Sequence, residues 1–244
     1  MSNKKNTISI VVPCHIRHLK HVKSIILGNV SKQTLRPDEV IVVTNPVNNS
    51  YQEQVISFIF DDINKDYDIV KNFNVKESCT PGKIRNIGFE YSSGDIVIFS
   101  DADDLYHPTR NETIARIFED YECDIVLHDY FLKEKDFIFK KIGYESILVD
   151  NCVPSEISQT GNQPRNNDFG IAQGHASFKR EVLKEIKYDE VLVPGEDGEI
   201  LRRAYKENKK LICINAKLSS WFPSGAWRAN KKITSGEAEH ATGE

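Results

Sequence analysis

The stretch DIVIFSDADD, residues 95–104, decides the fold because a short apolar run ends in three aspartates within four residues. The apolar run does not alternate with polar residues, which is typical of a strand covered on both faces in a parallel sheet. Sheets of that kind bind their ligands beyond the carboxyl ends of the strands. The aspartates therefore lie where a ligand is expected.

The rest of the chain repeats this order of apolar run and helical pattern. Strand patterns occur at residues 8–12, 39–43, 68–70, 95–99, 124–130, 174–178 and 211–214. Helical patterns occur at residues 18–31, 55–63, 82–92, 108–120 and 179–186, and one more begins after Pro194. This alternation predicts an α/β fold with a Rossmann-like, mostly parallel central sheet flanked by helices.

The bulk composition excludes several classes of protein. The 244 residues are 39% apolar, which is enough for a large core, and the formal net charge of −4 gives no general attraction to nucleic acid. The five cysteines are scattered without a CxxC pair, which argues against a disulfide framework or a zinc knuckle. No apolar run has the length of a signal peptide or a transmembrane span, so we expect a cytoplasmic protein.

The acidic cluster alone leaves several hypotheses open. Asp101 and Asp103 have the spacing to hold a divalent cation against a diphosphate, but aspartates also end strands and cap helices. An EF-hand loop is disfavoured because Tyr106 stands where glycine is required. A haloacid-dehalogenase-like phosphatase with Asp101 as nucleophile is the rival enzyme, although its motif usually lies on the first strand.

Two further motifs add charged groups. Glu196 and Asp197 open a predicted helix, where a carboxylate stays ionised and suits a general base, although helix capping explains them equally well. Arg85, near the start of the helix over 82–92, can meet a phosphate or simply be a solvated surface charge.

Other candidate ligands are more ordinary. His15, His18 and His21 are spaced by three, but we expect them to diverge because His15 precedes the predicted helix that holds the other two. His175 and Trp221 can line an acceptor site, or they can belong to the core. Residues 143–170 form a long polar stretch that we expect to be a mobile, substrate-facing loop.

In combination, these motifs resemble the GT-A-fold glycosyltransferases of family 2. The segments that carry the resemblance are ISIVVPCHIRH (8–18), DEVIVV (38–43), PGKIRNIGFEYSSGDIVIFSDADD (81–104) and GHASFKREVLKEIKYDEVLVPGEDGEILRRAYKENKKL (174–211). The resemblance covers about residues 7–215 and implies the nucleotide-diphospho-sugar transferase fold. It also implies a single domain over 1–228, with a nucleotide half at about 1–104, an acceptor half at about 105–228 and a flexible tail over 229–244.

The resemblance implies metal-dependent, inverting and non-processive transfer of one sugar from a nucleotide-diphosphate sugar to a hydroxyl of a glycan, glycolipid or glycoprotein. Asp197 would be the base and Glu196 its neighbour, while Asp103 and Asp101 would hold Mn²⁺ or Mg²⁺. The donor would contact Pro13, His15, Asn45, Arg85, Asp101, Ala102 and Asp103, and the acceptor would contact His175 and Trp221.

One departure from the family pattern concerns the end of the second strand. Thr44-Asn45-Pro46 stands where the family commonly has a pair of aspartates that reads the base of the donor. A non-catalytic module that binds sugar nucleotides or glycans is therefore the alternative to an enzyme.

Overall fold

The computed structural model describes residues 5–152 and 176–221. Its first half has the alternating order that the apolar runs predict. The elements are β1 Ile8–His15, α1 Val22–Asn29, β2 Glu39–Asn45, α2 Ser50–Asn64, β3 Val70–Asn74, α3 Pro81–Tyr91 and β4 Ile96–Phe99. The helix predicted over 18–31 begins later than expected because a 3-10 turn, Ile16–His21, follows β1 directly.

The second half is less regular. Its elements are β5 Leu105–Tyr106, α4 Arg110–Asp120, β6 Ile125–Leu132, β7 Val149–Asn151, β8 Ser177–Lys179, α5 Arg180–Glu185, α6 Glu196–Lys206 and β9 Leu211–Trp221, with short 3-10 turns at Asp136–Phe139 and Tyr144–Ser146. Strand β9 is much longer than the run predicted over 211–214, because its polar second half pairs with β5 and β6. Of the loop predicted over 143–170, residues 153–170 lie outside the described residues, as does the predicted tail at 229–244.

One sheet connects both halves, in the order β3-β2-β1-β4-β8-β6-β9-β5, with β7 added beside β9. Strand β1 runs parallel to β2 and β4, and β2 runs parallel to β3. Strand β8 lies antiparallel between β4 and β6, so the sheet is parallel in the first half and mixed in the second. The predicted α/β fold is confirmed, and its parallel half has all of its carboxyl ends at one edge.

Both faces of this sheet are covered by helices. Apolar side chains of α1, α2 and α4 pack on the face that includes Ile10 and Val12, and those of α3, α5 and α6 pack on the face that includes Val11 and Ile41. Burial on both faces explains why the strands lack polar alternation. Helices α3 and α6 share one face, which brings residues far apart in sequence together. Among the described residues, no helix has the length and apolar character to cross a membrane.

A close backbone approach fixes the start of α3. A Cβ atom on Gly82 would lie 2.3 Å from the carbonyl oxygen of Asp189, in the segment between α5 and α6. Only glycine allows this approach, since real Cβ atoms do not come so near a backbone oxygen. The start of α3 is therefore held against the segment that leads to α6.

We expect Gly82→Ala to destabilise the protein by about 1–3 kcal/mol, because the added methyl group must push the two segments apart. The matched control is Gly28→Ala in α1, where a Cβ meets nothing within 4 Å. That change should be neutral or stabilise the helix by about 0.5–1 kcal/mol. Urea denaturation of both variants measures the difference, and equal stabilities would contradict this account of Gly82.

Candidate active site

The candidate site lies at the sheet edge where the parallel strands end. His15 is the last residue of β1 and pairs in register with Asn45, the last residue of β2, while the acidic turn follows β4. Helix α3 also begins near this edge, with the Oγ1 atom of Thr80 accepting a hydrogen bond from the N–H of Lys83 at its first turn. Side chains from four elements therefore converge as the strand pattern predicts.

Arg85 is the centre of this site. Its guanidinium is buried and donates through Nη1 to Oε1 of Glu196 at 2.8 Å and through Nη2 to Oδ1 of Asp101 at 3.1 Å. The same group lies over the ring of Tyr188, 5.4 Å from its centroid. Burial alone would lower the pKa of Arg85, but the carboxylates of Asp101 and Glu196 outweigh it and raise the pKa, so the cation is permanent. The surface-charge interpretation of Arg85 is therefore wrong.

Glu196 and Asp197 occupy the first turn of α6. Gly195 caps the helix with φ +106°, a left-handed conformation that favours glycine, so neither carboxylate is the N-cap residue. Glu196 is buried against Arg85, and Oδ1 of Asp197 accepts the N–H of Gly198 at 2.8 Å. The expectation that the helix start keeps this carboxylate ionised is wrong in direction for Asp197, because burial and then the adjacent charge of Glu196 raise its pKa. A carboxylate with a raised pKa binds a proton more strongly, which suits a general base.

The acidic turn presents its aspartates differently. Asp104 is fully buried, whereas the side chains of Asp101 and Asp103 remain about a quarter exposed, at 27% and 25%. Ala102 is buried between them, and the hydroxyl of Tyr106 donates to the carbonyl oxygen of Asp101 at 2.8 Å. Asp101 and Asp103 are therefore the carboxylates that a ligand can reach, and Asp104 belongs to the interior.

The histidines are arranged differently from the sequence expectation. In a 3-10 turn, residues three apart lie above one another, so His15, His18 and His21 share one face instead of diverging. Successive ring centroids are 6.3 Å apart. His15 and His18 are buried, and Nδ1 of His18 lies 3.9 Å from Oδ2 of Asp103. His18 is thus a residue of the site that the sequence prediction does not include, because that prediction places His15 in a loop before the helix that holds His18 and His21.

A second buried cation, Arg110 of α4, lies beneath the acidic turn. It is fully buried and donates to the hydroxyl of Ser100 and the carbonyl oxygen of Phe99, both at 2.7 Å, and to Nε2 of His128 at 3.1 Å. Burial lowers the pKa of Arg110 to about 10, opposed by Tyr106 and the aspartates, so it stays charged at neutral pH. The sequence does contain a signal for this burial. Arg110 lies four and seven residues before Ile114 and Ile117, so it is a charged residue on the apolar face of the predicted helix.

The remaining predicted residues take varied positions. Pro13 is buried inside β1. The amide of Asn45 donates to the carbonyl oxygens of Val75 and Glu77 and accepts the N–H of Cys79, so it fastens the segment that leads to α3. Trp221 ends β9 with 38% of its surface exposed and its ring edge-on to Tyr130. His175 lies outside the described residues.

Comparison with known families agrees with this geometry. The profile of "Glycosyl transferase family 2" matches residues 9–187, which is more than half of the chain. The chain belongs to this family. The match also decides against the phosphatase hypothesis, since a family 2 chain has no use for Asp101 as a phosphorylated nucleophile.

Two curated relatives of this family 2 protein are glycosyltransferases. Glycosyltransferase GlyA of Streptococcus pneumoniae serotype 4 is 23% identical over 220 residues, covering 88% of this chain and 30% of GlyA. The UDP-Gal:α-D-GlcNAc-diphosphoundecaprenol β-1,3-galactosyltransferase of Escherichia coli is 28% identical over 205 residues, covering 84% of this chain and 67% of the enzyme. This chain thus spans less than a third of GlyA and two thirds of the galactosyltransferase.

Solved structures share the fold. A TarS fragment from S. aureus in complex with UDP-GlcNAc matches with a TM-score of 0.61 and 18% identity, over 88% of this chain and 58% of the fragment. The mannosyltransferase PcManGT from Pyrobaculum calidifontis, in complex with GDP-Man and Mn²⁺, matches with a TM-score of 0.61 and 17% identity, over 97% of this chain and 67% of that one. The predicted GT-A fold is confirmed.

We expect Arg110→Met to lower the free energy of unfolding by about 1–3 kcal/mol for each buried acceptor that it leaves without a donor. These acceptors are the carbonyl oxygen of Phe99, the hydroxyl of Ser100 and Nε2 of His128. The control is Arg116→Met, an exposed residue of the same helix whose guanidinium lies 3.6 Å from the ring centroid of Tyr144. Loss of that exposed cation–π contact should cost about 0.5–1 kcal/mol. Similar losses for the two variants in urea denaturation would show that Arg110 has no special role.

We expect Asp197→Asn to raise the melting temperature at pH 7. The folded pKa of Asp197 lies above its ordinary value of 3.8, so its ionisation above pH 4 costs stability that the amide avoids. The gain should disappear below about pH 4, where the carboxyl group is protonated in both states.

The control for this titration is Asp189→Asn, which should behave in the opposite way. Hydrogen bonds from the N–H groups of Val191 and Leu192 lower the pKa of Asp189, so its contribution is present at pH 7 and is lost as the pH falls. Thermal unfolding of the wild type and both variants between pH 3 and 8 provides the comparison. A stability gain for Asp197→Asn that persists at pH 3 would contradict the pKa shift.

Proposed function

We propose that this protein transfers one sugar from a nucleotide-diphosphate sugar to an acceptor hydroxyl, with inversion at the anomeric carbon. The observation that carries the proposal is the Arg85 bridge. One buried cation holds Asp101, at the end of β4, and Glu196, at the start of α6, with the candidate base Asp197 beside it. The names of the relatives support the reaction class, because both are glycosyltransferases.

The chemistry follows from the groups present. Asp197 accepts the proton of the acceptor hydroxyl, and the oxygen forms a bond to the anomeric carbon. At the same time the bond from that carbon to the diphosphate oxygen breaks, and its electron pair leaves with the nucleoside diphosphate. A single displacement of this kind inverts the anomeric centre. Arg85 is bonded to Asp101, the aspartate proposed to face the donor. Its fixed positive charge would stabilise the negative charge that develops on the leaving nucleoside diphosphate.

The donor set fits a divalent cation shared with the donor. Asp103 would hold Mn²⁺ or Mg²⁺, and Asp101, which already accepts from Arg85, would lie on the nucleoside side. Within residues 5–152 and 176–221, no three side chains of His, Cys, Asp or Glu form a preformed cation site. Diphosphate oxygens and water would therefore complete the coordination. The cation would neutralise charge on the leaving group.

The donor and the acceptor would occupy opposite sides of Arg85. Pro13, His15 and Asn45 are at the carboxyl edge of β1 and β2, where the nucleoside is expected. A hydroxyl of a glycan, glycolipid or glycoprotein would approach from α6, with Trp221 and His175 as acceptor-side candidates. The complexes of TarS with UDP-GlcNAc and of PcManGT with GDP-Man are the precedents for the donor class.

The second candidate is a module that binds sugar nucleotides without turnover. It is favoured by the end of β2, where Thr44 bonds to Asn72 and Asn45 bonds to the segment over 75–79, so neither of these two residues offers a carboxylate to a nucleobase. The raised pKa of Asp197 favours the enzyme instead, because a binding module has no need of a proton acceptor.

We expect Asp197→Asn to reduce sugar transfer by about 10²–10⁴-fold while leaving the binding of the nucleoside diphosphate unchanged. The experiment screens UDP-, GDP- and dTDP-sugars with Mn²⁺ for donor hydrolysis and transfer, and measures binding by calorimetry. Glu199→Gln is the control, since this carboxylate lies in the same helix but pairs with Arg203. It should retain most of the activity.

The other outcomes separate the two functions. Tight, metal-dependent binding with no turnover of any donor would support the binding module. Turnover that survives in Asp197→Asn would remove Asp197 as the base. Binding that ignores both Mn²⁺ and the change Asp103→Asn would count against metal dependence.

A further inference from the structure

His18 faces the carboxylate that is proposed to hold the cation. Its side chain is largely buried, with Nδ1 lying 3.9 Å from Oδ2 of Asp103. Two ligand atoms that each lie about 2.0–2.2 Å from one cation are separated by about 3–4 Å. The pair is therefore spaced as two ligands of a shared metal ion would be.

The local backbone explains how His18 reaches this position. Strand β1 ends at His15, whose Nδ1 accepts the N–H of Arg17 at 3.2 Å and starts the 3-10 turn. With three residues per turn, His18 lies one turn further along the same face. His21 lies another turn on and is exposed. The middle histidine of the three is buried and lies within ion-pair distance of Asp103.

We propose that His18 supplies a nitrogen ligand, beside Asp103, to the divalent cation of the donor site. The inference rests on the proposed function, since it concerns the cation that binds with the nucleoside diphosphate. It deepens that function by predicting the choice of metal. An imidazole nitrogen ligand favours first-row transition-metal ions, of which Mn²⁺ is the weakest binder, over Mg²⁺, which strongly prefers oxygen ligands. The protein should therefore select Mn²⁺ over Mg²⁺.

The competing explanation is electrostatic. A protonated His18 would form an ion pair with Asp103 and position the acidic turn without touching the metal. Both explanations predict that replacing His18 weakens the site. Only direct ligation predicts a nitrogen atom bound to the metal ion and a loss of selectivity between Mn²⁺ and Mg²⁺.

The test is pulsed electron paramagnetic resonance of Mn²⁺ on the full chain with UDP, GDP or dTDP, which detects ¹⁴N bound to the metal. We expect ¹⁴N modulation in the wild type, its loss in His18→Ala and its retention in His21→Ala. Binding of Mn²⁺ should weaken at least about tenfold in His18→Ala. Binding of Mg²⁺, measured by competition, should change little in the same variant.

The outcomes distinguish this inference from the proposed function. Wild-type protein that binds Mn²⁺ without ¹⁴N modulation overturns the role of His18, and this result needs no variant to fold. If the wild type shows no ¹⁴N modulation but Asp103→Asn abolishes Mn²⁺ binding, the proposed metal dependence is supported and only the role of His18 fails. Modulation that persists in His18→Ala also overturns the inference. If no diphosphate brings Mn²⁺ to the wild type, both the inference and the metal dependence fail. His18→Gln is the second variant if alanine prevents folding.

Discussion

The buried guanidinium of Arg85 is the constraint on which the site depends. A buried cation is tolerated only when carboxylates and hydrogen bonds compensate for its lost hydration. Its compensating partners come from a strand end and a helix start that are 16 and 111 residues away in the chain. The fold must therefore bring α3, the turn after β4 and α6 together, and the close approach at Gly82 is one means by which it does so.

A second cation explains how so many carboxylates can share one turn. Arg110 binds Phe99 and Ser100 from beneath the sheet edge, while Arg85 binds Asp101 from the side of α6. The acidic turn thus lies between two fixed positive charges. Repulsion among its aspartates is reduced before any metal ion binds. Charges fixed by the fold in this way need no reorganisation when a ligand arrives, which is the general advantage of a preorganised site.

The sequence predicts the parts of this design that depend on local pattern. Strands buried on both faces appear as unbroken apolar runs, so β1, β2 and β4 were found, and with them the edge that holds the acidic turn. The second half of β9 was missed because it includes polar residues such as Asn215 and Lys217. His18 is missing from the predicted site because the sequence pattern places His15 in a loop before the helix, whereas the 3-10 turn follows His15 directly and stacks His18 on the same face. The pairing of Arg85 with Glu196 has no local signal at all.

The same network links stability to chemistry at Asp197. Burial and Glu196 raise the pKa of this residue, whereas Arg85 lowers it. Arg85 also bonds to Asp101, which is proposed to face the donor. The pKa of Asp197 therefore depends on a cation that is shared with the donor side of the site. Ionisation of Asp197 in this position costs stability. A purely structural helix cap would instead favour the charged form of the carboxylate, so capping does not explain Asp197. The raised pKa agrees with the proposal that Asp197 takes up the proton of the acceptor hydroxyl.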